Sequence, residues 1–146
     1  MPAGMDYGRR SANKRKEVYT MDVRKMRNAA LGKRVVAALE SRNMEAYYVE
    51  TKEEALKKAL ELIPKGSNIN MGGAASIKEC GLYDAISNGD YEFYDRDKVG
   101  TPEEKEAIAL KAFSCDYFLG SVNAMSEDGV FVNIDGNANR VAAYAY

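Results

Sequence analysis

Two groups of residues in this 146-residue chain have the types and spacing to hold a charged ligand. The first is Gly72-Gly73, which follows the short run Asn68-Ile69-Asn70-Met71 and precedes Ala74, Ala75 and Ser76 and then Ile77-Lys78-Glu79. Strand, glycine turn and helix in that order let the backbone take positive φ and approach a ligand closely. The open N–H groups of the helix start would face the same point, so an anion fits there. The spacing matches neither a P-loop nor a dinucleotide fingerprint, and a tight strand-to-helix turn with no ligand accounts for the same residues. The second group joins Ser121 and Asn123, leaving one strand, to Asp135, Gly136, Asn137, Asn139 and Arg140, leaving another. Converging amides and one planar guanidinium suit a phosphate or carboxylate. An Asx turn at Asp135 and Asn137, a helix cap at Asn139 and a surface Arg140 form the competing reading.

Composition removes whole classes of chemistry. The chain has no histidine and two cysteines, Cys80 and Cys115, far apart and without a C-x-x-C. It therefore supplies no Ser-His-Asp triad, no Cys-His pair, no histidine-based zinc site and no four-cysteine cluster of its own. Neither cysteine has an evident cationic neighbour to lower its pKa, so both read as small buried hydrophobes, with Cys80 near the glycine loop the one to watch. No metal site and no cofactor is expected. No apolar run approaches bilayer length, no secretory signal is evident, and the cytoplasm is the default location.

The net charge of −1 is unevenly spread. Residues 1–34 carry ten Lys/Arg against Asp6, Glu17 and Asp22. That arm offers nucleic acid as a partner, with steep salt dependence as the signature. Its few aromatics favour a solvated tail and a charged helix face instead, and nucleic acid is not the expected partner.

These groups need a scaffold. Residues 1–19 show no hydrophobic period and read as a flexible basic lead-in, with a single domain over 20–146. Val23, Met26, Leu31, Val35, Ala38 and Leu39 recur at helical spacing from Thr20, and the helix stops near Asn43. Residues 45–49, with Tyr47, Tyr48 and Val49, read as a strand. Thr51 and Glu54 have capping-box spacing for a second helix that Pro64 and Gly66 end. A helix follows over 77–88, interrupted at Gly81, with Gly89 as a left-handed C-terminal residue.

Residues 91–94 suggest a strand. Thr101-Pro102-Glu103-Glu104 is the strongest helix start, with Ala107, Ile108, Leu110, Ala112 and Phe113 on its core side. Strands at 117–120 and 130–134 flank a turn at Glu127-Asp128-Gly129, and a last helix runs over 141–146. Alternation of this kind predicts an α/β fold, Rossmann-like, with a mostly parallel sheet flanked by helices and ligands beyond the carboxyl ends of its strands.

The run from about Asn43 to Ala143 resembles the LUD domain, named for bacterial lactate-utilisation proteins. The matching pieces include N-M-E-A-Y-Y-V-E, the I-P-K-G-S and M-G-G segments, L-Y-D-A-I-S-N-G-D-Y-x-F-Y-D-R, S-V-N-A-M-S-E-D-G and V-N-I-D-G-N-A-N-R-V-A-A. The resemblance implies a fold like that of ribose-5-phosphate isomerase, glucosamine-6-phosphate deaminase and the CoA transferases. Its glycine loop and asparagine-rich turn would face one ligand cleft.

Carried onto this chain, the ligand-binding candidates are Gly72, Gly73, Ser76, Asn123, Gly136, Asn137, Asn139 and Arg140, with Asp135 the candidate acid/base. Three departures stand out. Ala74 and Ala75 lie where relatives carry hydroxyl residues, and Asn137-Ala138-Asn139 replaces an Asn-Gly-Asn, limiting backbone freedom. The family's pattern also continues through further strands beyond Tyr146, so a sheet edge is expected to be open or completed by another chain, which makes a homo-oligomer an expectation. Related isomerases place an aspartate at the position of Asn123, and a neutral amide cannot be a general base.

Two functions follow as expectations. One is binding of a small anionic metabolite, phosphate- or carboxylate-bearing, between the Gly72-Gly73 loop and the 135–140 turn, in lactate or organic-acid utilisation, with Arg140 as the anion clamp. The other is a non-catalytic accessory subunit of a lactate-oxidising complex whose partner proteins carry the iron–sulfur clusters. Whether the chain turns anything over is left open by its residues.

Overall fold

The computed structural model describes the backbone from Gly8 and the side chains from Val23 onward. Residues 1–7 of the expected lead-in lie outside the described residues. Helix α1 spans Gly8–Glu40, so it starts ahead of Thr20. Arginine, lysine and alanine dominate residues 9–16, and all three are good helix formers even without an apolar stripe. Among the described residues no helix is long and apolar enough to cross a membrane.

The chain divides into two compact units. The first comprises Met1–Glu50 with Glu127–Gly129. Helix α1 ends where Asn43 takes a left-handed φ of 62°, a conformation asparagine tolerates better than most residues, and Met44 N–H closes the end by donating to Leu39 O at 3.1 Å. Gly32 lies under the Tyr48 ring, where any side chain would collide. Arg34 pairs with Glu127 at 2.9 Å, and Gly129, at φ 78°, makes the left-handed turn and packs on Ala38. The strand expected at residues 45–49 does not form: the segment has no regular secondary structure and pairs with no strand among the described residues. Aromatic and β-branched residues supply propensity, and only a ladder partner makes a strand of it.

The second unit, Thr51–Ser126 with Val130–Tyr146, holds the sheet. Helix α2 (Lys52–Leu62) starts at the expected capping box, with Glu54 N–H donating to Thr51 Oγ1 and Thr51 N–H to Glu54 Oε2. Strand β1 (Asn68–Met71) is central, flanked by β2 (Glu92–Tyr94) and β3 (Tyr117–Leu119), both parallel to it. Asn68 and Asp116 exchange side-chain and backbone bonds at 2.7 and 2.9 Å, which fixes the start of the β1–β3 register.

Alternate side chains of β1 face opposite sides of the sheet. Ile69, fully buried, packs with Ile63, the residue that follows α2, and with Ile77, Leu82 and Ile86 from α3 (Ala75–Glu79) and α4 (Leu82–Ser87). Asn70, on the other face, is 3% exposed and is tolerated because its amide donates to Ile108 O of α5 (Pro102–Leu110) at 2.7 Å. Helices therefore cover both faces, the Rossmann-like α/β arrangement the sequence predicts.

Gly81 breaks the helix between α3 and α4 at φ 83°, as expected. Gly89, in contrast, is not left-handed. Its hydrogen makes room for Ala85 O and the Tyr91 ring, which a Cβ would meet at 2.5 and 3.0 Å. Ala107 and Leu110, both assigned to the core side of α5, are exposed, Leu110 by 62%, and Ile108 and Ala109 are the half-buried residues of that stretch instead. The expected strand over 130–134 shrinks to β5 (Phe131–Val132), antiparallel to β4 (Ala124–Met125). Helix α6 covers Asn139–Ala145.

Candidate functional site

The sheet order β2-β1-β3 places the glycine loop after β1 and the Ser121 segment after β3 at the same carboxyl edge, where ligands of open parallel sheets collect. Gly72 and Gly73 act differently there. Neither has positive φ, so neither is required by backbone conformation. Gly72 is buried, and a Cβ on it would come within 3.2 Å of the Arg140 side-chain carbons and 3.3 Å of the Phe118 ring. Its hydrogen is what lets the Arg140 stem pass. Gly73 is exposed, and the nearest atom to its absent side chain is Arg96 Nη2, 3.5 Å away.

Arg140 is buried, and its guanidinium is taken up inside the protein. Nη1 donates to Ser121 O at 2.9 Å, and Nη2 to Asn123 Oδ1 at 2.6 Å and Ile134 O at 3.2 Å. Nη2 also pairs with Asp135 Oδ1 at 2.8 Å, while Nε has no partner among the described residues. Asn123 Oδ1 additionally accepts from Ile134 N–H at 3.0 Å. Asp135 uses its other oxygen to accept from Val141 N–H at 2.8 Å, capping the first turn of α6. The cap residue itself is Ala138, in a left-handed conformation at φ 57°, so the helix cap read at Asn139 is supplied by Asp135 instead. Tyr144 donates to Ser121 O at 3.2 Å, and burial pushes its phenol pKa up.

The second constellation thus converges as its spacing suggested, and its atoms bond mainly to one another. Arg140, Asn123 and Asp135 tie the Ser121 segment, Ile134 and α6 into one knot behind Gly72. Gly136, Asn137 and Asn139 complete the turn, with Gly136 and Asn137 exposed.

The open space lies on the other side of the glycine loop. A cleft of about 310 Å³ at the ends of β1 and β2 is floored by Gly72, Gly73 and Ala75 and walled by Tyr94, Asp95 and Arg96. Ser76, one residue beyond, is exposed, and both it and every residue of the 135–140 turn lie outside the lining. Helix α3 contributes one short turn with no side-chain cap at Ala74, so its dipole adds little to the field.

Charge in the cleft is nearly all neutralised. Asp95, 5% exposed, accepts from Tyr83 Oη at 2.6 Å and from Asp97 N–H at 3.0 Å, with Lys98 Nζ at 3.8 Å. The bond to Asp95 holds the Tyr83 phenol above its usual pKa, and partial burial adds to this. Lys78 pairs with Asp97 at 3.0 Å, which raises the ammonium pKa. Arg96 has no hydrogen bond or ion pair among the described residues. It ends the family-like segment L-Y-D-A-I-S-N-G-D-Y-x-F-Y-D-R but was not singled out as a site residue: one arginine after a strand carries no spacing signal, and only the fold brings it over Gly73. Among the described residues no group of three or more Cys, Asp or Glu is placed to hold a metal ion.

Neither the curated proteins nor the solved structures contain a significant match to this chain. The family model for the LUD domain matches residues 32–146, which include the glycine loop, the cleft and the Arg140 knot, and the chain belongs to the LUD domain family.

Proposed function

We propose that this LUD-type domain binds a small anionic metabolite, phosphate- or carboxylate-bearing, on the Gly72-Gly73 loop, in the setting of lactate or organic-acid utilisation to which the family name points. The supporting observation is the cleft of about 310 Å³ at the carboxyl edge of the parallel sheet, open over a glycine whose missing side chain leaves backbone accessible. That volume suits a metabolite-sized ligand, and the Arg140 knot gives the loop a rigid backing, which lowers the ordering cost of binding. The Asp135–Arg140 ion pair therefore serves the site by shaping it from behind.

A thermal-shift screen of the purified chain against short hydroxy acids, phosphosugars, nucleotides and CoA tests this. A ligand at 100 times its Kd stabilises the folded state by about 2.7 kcal/mol, which is several degrees of Tm for a domain of this size. Gly73→Leu should fill the cleft without strain, because Gly73 is exposed and not left-handed. The expected result is a hit with the wild type that Gly73→Leu abolishes while the unliganded Tm stays unchanged. No shift from any compound, with a cooperatively folded sample, refutes the reading.

A further inference from the structure

We infer that Arg96 is the anchor of the cleft and that the group it takes is a monoanionic carboxylate. This rests on the binding role proposed for the cleft and goes beyond it by naming the contact and the head group. The sequence pattern pointed to Arg140 as the clamp, but Arg140 spends Nη1 and Nη2 on Ser121 O, Asn123 Oδ1, Ile134 O and Asp135. Arg96 stands at the start of the 3-10 turn Arg96–Lys98, exposed, with Nη2 3.5 Å from where a Gly73 side chain would begin.

The turn that carries Arg96 is fixed from below. Buried Asp95 accepts from Asp97 N–H and from Tyr83 Oη, so the residue before Arg96 is held by two bonds while the guanidinium itself stays uncommitted. A planar two-pronged donor over accessible backbone is the geometry that receives a planar two-oxygen acceptor.

Charge selects the head group. Among the cleft's lining residues, Lys78 and Asp97 neutralise each other, and Asp95 is offset by Lys98 from just outside the lining. One positive charge is left over, on Arg96. A carboxylate brings one negative charge and matches it. A phosphate monoester brings nearly two at neutral pH, and the second would face Asp97 and Asp95 with no further unpaired cation among the lining residues to meet it. Phe93 and Tyr94 line the same cleft and add apolar surface for the carbon part of the ligand.

The test is isothermal titration of wild type, Arg96→Ala and Arg96→Lys with glycolate, lactate and glycerol 3-phosphate, alongside the unliganded Tm of each protein. The expected results are carboxylate binding by the wild type, a Kd raised roughly tenfold or more in Arg96→Ala, and an intermediate Kd in Arg96→Lys, which keeps the charge and loses the fork. The unliganded Tm should not move, since Arg96 supports no other described residue. A ligand-bound wild type whose affinity Arg96→Ala leaves unchanged overturns the anchor while the cleft reading stands. Tighter binding of glycerol 3-phosphate than of either carboxylate overturns the head group. Absence of binding by all three probes overturns the inference, and the wider screen then decides the fate of the cleft reading separately.

Discussion

Arg140 shows how far residue type alone could be read. Its convergence with Asn123 and Asp135 was legible in the spacing, because the strands on either side of the Glu127-Asp128-Gly129 turn pair antiparallel and bring the residues before β4 beside those after β5. Its role was not, because a guanidinium aimed at solvent and one aimed at backbone carbonyls look alike in a sequence. The structure makes Arg140 the holder of a buried partner: Asp135 is 12% exposed at its side chain and would be left as an uncompensated charge. Arg140→Met should therefore destabilise the fold by about 3 kcal/mol, as breaking a buried ion pair does. Combining it with Asp135→Asn should recover part of that loss, and urea unfolding of the two single variants and the double variant measures both. Equal, additive losses would mean that the pair is not coupled.

Ala138 is the complementary case. The family's usual glycine at that position was visible as a departure, and the φ of 57° gives its cost. A left-handed conformation costs a residue with a Cβ about 1–2 kcal/mol, and the added freedom of glycine in the unfolded chain returns less than that. Ala138→Gly should raise the urea midpoint at unchanged m-value, and a lowered midpoint would show that the turn is not strained.

At the scale of elements, sequence reading succeeds where the signal is local and fails where it needs a partner. Thr101-Pro102-Glu103-Glu104 carries its whole instruction in four residues. Glu104 N–H donates to Thr101 Oγ1 at 3.2 Å, and Thr101 N–H to Glu104 Oε2 at 3.0 Å. Residues 45–49 have the composition of a strand and no pairing partner among the described residues, which no window of five residues can reveal.

The cap also makes a pH prediction. The backbone N–H of Thr101, then its hydroxyl, hold the Glu104 carboxyl below its usual pKa. A folded-state pKa below the unfolded one gives a stabilisation that is present at neutral pH and lost as pH falls through the folded value. Glu104→Gln should therefore flatten the dependence of Tm on pH between about pH 6 and about pH 3, with Thr101→Ala costing about 1 kcal/mol at neutral pH. Parallel Tm profiles for wild type and Glu104→Gln would remove the carboxylate from the account.

For the whole molecule, the distribution of the core decides which part can fold without the rest. The buried hydrophobic residues among those described are Ile63, Ile69, Ala74, Ile77, Leu82 and Ile86, and all belong to the unit that contains the parallel sheet. The alternation of elements foretold that sheet, but not the absence of fully buried side chains in α2 and along the described part of α1, since amphipathic spacing marks a face and not how completely it is covered. A core this small leaves little margin, because domain stability is a difference of a few kcal/mol between large opposing quantities. Its two most buried side chains, Ile69 and Ile86, should then govern folding.

The fragment 51–146 should accordingly unfold cooperatively in urea, with a circular dichroism spectrum of mixed α/β type. Within the full chain, Ile86→Ala should cost about 2–5 kcal/mol from lost burial and the cavity left behind, enough to abolish the fragment's transition while the full chain keeps one at lower urea. A fragment with no transition of its own would show that the sheet needs residues before Thr51 to fold. An Ile86→Ala variant of normal midpoint would place the stabilising core elsewhere.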